Sequence, residues 1–113
     1  MIHIIRQTAT SEQVAEMAQV FDGLFIKLAI DVKKGILAGG GELHADCEQV
    51  LLEDGSQQED LWGADWYPNT GEVGFEALIN IRLRQQNYGM EIQDPDLRAQ
   101  VETIVRRLME RQI

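Results

Sequence analysis

Apolar residues recur along this chain at two different periods, and the change of period marks the elements. Val14, Met17, Ala18 and Phe21 fall at helical intervals, and Thr10 with Gln13 has the spacing of a capping box. This predicts a first helix over 11–22, ended by Gly23. Leu24, Ile26, Leu28, Ile30 and Val32 then alternate with Phe25, Lys27, Ala29, Asp31 and Lys33, the pattern of a half-buried strand. Leu24, Phe25, Leu28 and Val32 also fit a continued helix, but Gly23 and the β-branched residues favour the strand. Lys34-Gly35 allows a tight turn, residues 36–38 a short returning strand, and Gly39-Gly40-Gly41 a release into a second helix over 42–54. Leu43, Cys47, Val50 and Leu51 share one face of that helix, and Gly55 is placed to end it in the left-handed conformation.

Farther on, residues 56–71 read as a loop anchored by Trp62, Trp66 and Tyr67 and closed by Pro68 and the turn at 69–71. Residues 73–84 read as a second long strand, with Ala77, Ile79, Ile81 and Leu83 on one side and Glu76, Leu78, Asn80, Arg82 and Arg84 on the other. A polar loop at 85–89 and a short strand at 90–93 lead to the last helix, where Asp94 is the N-cap and Pro95 the first helical residue. Leu97, Val101, Ile104, Val105 and Leu108 form its apolar stripe. Arg98 with Glu102 and Glu102 with Arg106 are spaced as ion pairs, and Arg106, Arg107 and Arg111 suit the negative end of the dipole. The expected architecture is a two-layer α+β fold, about three helices packed on one face of a mostly antiparallel sheet through Ile26, Leu28, Ile30, Ile79, Ile81 and Leu83. The other sheet face is expected to be partly open.

Composition narrows the class without changing this picture. A chain of 113 residues, 44% of them hydrophobic, fits a single domain spanning 1–113. No apolar run is long enough for a membrane span, since Lys27 interrupts the most hydrophobic stretch. Cys47 is the only cysteine, which excludes an internal disulfide and suits a reducing cytoplasm. The net charge of -9 is concentrated between Lys34 and Arg82, where ten acids occur with no lysine or arginine. Such a middle repels polyanions, so nucleic-acid binding through bulk charge is not expected. It suits a cation, a basic partner, or simple solvation.

The runs Leu37-Ala38-Gly39-Gly40-Gly41-Glu42-Leu43-His44-Ala45-Asp46-Cys47-Glu48, Leu52-Glu53-Asp54-Gly55-Ser56, Leu78-Ile79-Asn80-Ile81-Arg82 and Met90-Glu91-Ile92 carry a further signal. With Ile30-Asp31-Val32 and Gln58-Glu59-Asp60, they resemble an uncharacterised family of small bacterial proteins common in cyanobacteria. The resemblance covers nearly the whole chain and implies no activity, so the chemistry rests on the residues themselves.

The triple glycine before a helix resembles an anion-binding loop, but His44 stands where a dinucleotide fingerprint needs glycine, and Glu42 would repel phosphate. His44 and Glu48, four apart, share a helix face and are the candidate metal ligands. A divalent metal is not favoured, because a transition-metal site needs a third ligand such as Asp31. Acids between Asp54 and Asp65 lack the calcium-loop pattern. Trp62 and Trp66 could stack on a ligand or plug a core. Asn80, Arg82 and Arg84 on one strand face, beside Lys27, Asp31 and Lys33 on the earlier one, make the best candidate surface for a small anionic ligand. Arg82 is also expected to pair with a carboxylate of the acidic stretch.

Two functions follow as expectations. The first is a binding or assembly module acting as a homodimer through the open sheet face. The second is a small hydrolase or phosphate-handling enzyme with Asp31, Glu42, His44, Asn80 and Arg82 around one cleft, in which Asp31, His44 and Arg82 are the catalytic candidates.

Overall fold

A computed structural model describes residues 1–110. The elements run β1 (His3–Ile5), α1 (Ser11–Ala18), β2 (Ile26–Asp31), β3 (Ile36–Gly39), α2 (His44–Glu53), β4 (Leu61–Tyr67), β5 (Glu72–Gly74) and α3 (Pro95–Met109). The strands form one sheet in the order β1-β3-β2-β4-β5, with every neighbouring pair antiparallel. This is the expected α+β class, helices packed on an antiparallel sheet. Its local signals act as physics requires. Thr10 and Gln13 close a reciprocal capping box on α1, and Asp94 accepts from the Asp96 amide at 2.9 Å with Pro95 in the first turn of α3. Gly55, at φ 108°, follows α2 in the left-handed region. Glu102 pairs with Arg106 at 2.9 Å, while Arg98 lies over the Phe75 ring at 4.3 Å. Arg111 lies outside the described residues.

Pleating sorts the sheet side chains into two cores. Ile26, Leu28 and Ile30 of β2 join Trp62, Ala64 and Trp66 of β4 under Met17 of α1 and Val101, Val105 and Leu108 of α3. Ala29, Ala38 and Leu61 point the other way and pack against Cys47 and Leu51 of α2. The helices are thus divided between the two faces, and the face expected to be partly open is covered by α2. Small residues explain how: Ala29 and Ala38 let the helix settle close to the strands. Lys27 and Asp31, which made this face look solvent-facing, sit at the ends of β2.

The second half of the chain departs from its sequence pattern. The stretch expected to be a loop holds β4, which pairs with β2 over six residues from Ile26↔Trp66 to Asp31↔Leu61. Trp62, Ala64 and Trp66 do alternate with Gly63 and Asp65, but glycine and acids disguise the strand. Conversely, 73–84 is not a long strand. β5 ends at Gly74, and the chain continues through 3-10 turns at Leu78–Asn80 and Leu83–Gln85. Ile81 and Leu83, expected in the core, are 44% and 69% exposed, whereas Asn80, expected on the polar side, is fully buried. Residues 90–93 supply only the bridge Glu76↔Glu91 and the buried Ile92.

Asn80 is buried because the sheet edge needs it. Along β4 the backbone groups of Leu61, Gly63 and Asp65 face away from β2, and β5 reaches only Asp65, opposite Gly74. Beyond that point side chains complete the ladder. The Gly63 amide donates to Asn80 Oδ1 at 2.7 Å, Asn80 Nδ2 donates to the Gly63 carbonyl at 3.0 Å, and Arg82 Nη2 donates to the Leu61 carbonyl at 2.5 Å. Asn80 Nδ2 also reaches the carbonyls of Phe75 and Met90, at 3.2 and 3.1 Å. Buried Asn87 binds the carbonyls of Asn80, Gly89 and Glu91 and accepts from the Gln93 amide. Residues 76–91 are therefore an irregular hairpin, bridged at Glu76↔Glu91 and Arg82↔Asn87 and held by two amide side chains rather than by a regular ladder. Gly63 is required here, since a Cβ would lie 2.5 Å from that of Ala77.

Replacing Asn80 by alanine strands a buried amide and several carbonyls, so urea denaturation should show a loss of about 3 kcal/mol or more. Asn80→Asp, which keeps an acceptor but has no N–H to donate, should be no better; a loss below about 1 kcal/mol in either variant would refute the edge role.

Candidate functional site

Helix α2 turns two polar residues toward β4, and both are tied. His44 Nε2 lies 2.8 Å from Asp65 Oδ1 and 3.2 Å from the Ala64 carbonyl, so with two acceptors beside it this nitrogen carries the proton. One turn later Glu48 Oε2 lies 3.3 Å from Arg82 Nη2, each side chain 11% exposed. Burial pushes the Glu48 carboxyl above the ordinary carboxylate value, and Arg82 only partly offsets it. Burial likewise lowers Arg82, against the pull of Glu48.

Arg82 is a structural fastener as placed. Its Nε donates to the Ile79 carbonyl at 2.8 Å, and its Nη1 to the Gln58 carbonyl and the Gln85 side chain, each at 2.9 Å. With the bonds to Leu61 and Glu48, every nitrogen of the guanidinium is engaged, and its carbon sits 4.9 Å from the Trp62 ring. The expected tie to the acidic stretch is met by Glu48.

The remaining candidates are scattered. Asp31 is buried at the β2–β3 turn, accepting from Ser56 at 2.6 Å and from the Lys33 and Lys34 amides at 2.9 Å. Trp62 and Trp66 are each 3% exposed in the larger core, leaving no ring face for a ligand. Asn80 serves Gly63, while Glu42 and Arg84 are exposed. Arg82 and Arg84 line an open cleft of about 480 Å³ with Gln57, Gln58, Glu59 and Gln85. His44 lines a different cavity, about 280 Å³, with Lys27, Glu76, Leu43, Leu78 and Met90 among its walls. Among the described residues His44 and Arg82 thus line different cavities, rather than the one cleft expected for a phosphate-handling enzyme. His44 and Glu48 hold different partners, and among the described residues no three His, Cys, Asp or Glu side chains are grouped to hold a metal. Burial pushes the Cys47 thiol up to about 11, so it is a core residue and no ready nucleophile.

The site residue that sequence reasoning passed over is Asp65. Its register opposite Lys27 and its contact with His44 follow only once β4 is recognised as a strand. The period-two run from Trp62 to Trp66 was the available signal.

The family model described as "Protein of unknown function (DUF5674)" matches residues 3–108, and the chain belongs to that family. No curated protein and no solved structure matches it. No described helix is long and apolar enough to cross a membrane.

Because Arg82 serves three backbone carbonyls and a buried acid, Arg82→Ala should cost about 3 kcal/mol or more. Arg82→Lys should recover little of that, since an ammonium lacks the planar fork, and Arg84→Ala should change stability by less than about 0.5 kcal/mol. Thermal melts of the three variants check this ranking. The raised Glu48 carboxyl has its own signature. The folded state binds this proton more readily than the unfolded chain, so this group's contribution is complete below the ordinary carboxylate value and is lost as pH rises through the folded value. Glu48→Gln should flatten that part of the stability-against-pH curve, as denaturation across the acidic range would reveal.

Proposed function

We propose that this chain is a non-enzymatic assembly module that works as a homodimer, joined along the hairpin of residues 76–91. One observation carries the reading: five large apolar side chains run from the hairpin base (Leu78, Met90) through its middle (Ile81, Tyr88) to its tip (Leu83), between 40% and 70% exposed. A concentration of exposed apolar groups marks a contact surface more often than chance. The buried Asn80 and Asn87 hold this segment in place, so little ordering entropy opposes association.

Charge favours a second copy as the occupant. The molecule carries -9 overall, yet residues 76–91 contain two acids and two arginines. A basic partner would be drawn to the acidic remainder instead, and a polyanion would be repelled by it. A neutral apolar hairpin of mixed sign can meet its own copy across a two-fold axis, with Arg84 of one chain toward Glu76 or Glu91 of the other.

Light scattering during size exclusion should find a dimer at micromolar concentration. Leu83→Asp combined with Tyr88→Asp should give a monomer that keeps the parent's circular dichroism spectrum, since both side chains are exposed, and that melts lower only by the stabilisation the dimer supplies. A wild-type chain that stays monomeric up to millimolar concentration, or a double variant that stays dimeric, would remove the reading.

A further inference from the structure

The cavity beside His44 combines an apolar wall with a lysine that forms no ion pair among the described residues, and the exposed Glu76 lies at its rim. This lysine, Lys27, projects from β2 into the lining, half-buried. Its ammonium lies 5.2 Å from the centre of the Phe21 ring, a weak cation–π contact. The carboxylate nearest in register is Asp65, directly across the strand pair, but its Oδ1 is committed to His44 at 2.8 Å. With Asp65 Oδ1 held by His44, the Lys27 ammonium has no bonded counter-charge, and an anion entering the cavity would give it one.

We propose that this cavity binds a small amphipathic monocarboxylate, its carboxylate on the Lys27 ammonium and its apolar tail along Leu78, Ile79 and Met90. A single lysine matches one negative charge. A phosphate dianion would add a second charge facing Asp65 and the exposed Glu76, which also lines the cavity. The Ala77 and Ile79 side chains of the hairpin's first arm, with Leu43 just before α2, give the tail an apolar path. At about 280 Å³ the space is near the lower end of small-molecule sites, so the tail is short, of the size of hexanoate or octanoate. The walls come from one chain, so the site does not depend on the proposed dimer, although Leu78 and Met90 belong to the same hairpin.

The test is titration of the full chain with octanoate, octanol and octylamine below their micellar concentrations, followed by calorimetry and by the Met90 methyl and His44 ring resonances. It is run in parallel on the Leu83→Asp, Tyr88→Asp double variant, both positions outside this cavity, so that loss of the dimer and loss of the ligand are read separately. Octanoate should bind saturably and shift both sets of resonances in both proteins, octanol should bind about tenfold more weakly, and octylamine not measurably. Lys27→Met should lose about tenfold in octanoate affinity while melting like the parent, and Lys27→Arg should retain it. Absence of saturation with octanoate, equal binding of octanol, tighter binding of octylamine, or full affinity in Lys27→Met would each overturn the proposal.

Discussion

The outer edge of β4 is the constraint on which the rest of this structure depends. β5 is only three residues long and covers one end of β4, so the amide and carbonyl of Gly63 would be left without partners inside the protein. An unmet pair of buried backbone groups costs several kcal/mol, comparable to much of a small domain's stability. Asn80 closes the gap with a side-chain amide that has the donor and acceptor of a peptide unit. That one insertion fixes where the hairpin crosses the sheet, and Asn87 then holds its second arm to its first.

The same edge anchors α2. Ala29 and Ala38 bring the helix close to the sheet, but small side chains bury little area and give weak direction. Direction comes from two polar contacts one turn apart, His44 to Asp65 and Glu48 to Arg82. Since Arg82 also reaches Leu61, Ile79 and Gln58, helix, strand and hairpin meet at one guanidinium. A buried pair of this kind adds little net stability against an apolar replacement, yet losing one partner is costly, which is how it selects a single docking.

Both functional readings grow out of that arrangement. Holding the hairpin by its backbone leaves its apolar side chains facing outward, which supplies the proposed contact surface. Committing Asp65 Oδ1 to His44 leaves Lys27 without an ion pair beside a largely apolar cavity, which supplies the proposed ligand site. Arg82, the strongest chemical candidate by residue type, is instead fully occupied by the fold.

What the sequence by itself determined is local. The capping box at Thr10, the Asp94-Pro95 start of α3, the alternation through β2 and the glycine that ends α2 were all legible, because each depends on contacts within a few residues. The α+β class followed from them. Only the tertiary structure decided that 61–67 is a central strand and that 73–84 is not one. Trp62, Ala64 and Trp66 become strand residues by pairing with β2, more than thirty positions away in the chain. The alternation from Ala77 to Leu83 makes no strand because backbone pairing along the outer edge of β4 stops at Gly74 and the Asn80 and Arg82 side chains take the edge beyond it, so the asparagine turns inward and two of the apolar residues turn out. The site divides in the same way. Sequence reasoning named His44, Glu48 and Arg82, because their chemistry is carried by residue type and helical spacing, but their partners are set by long-range register. Side-chain periodicity reports which face a residue takes within an element, and it is silent about what the rest of the chain places opposite that face.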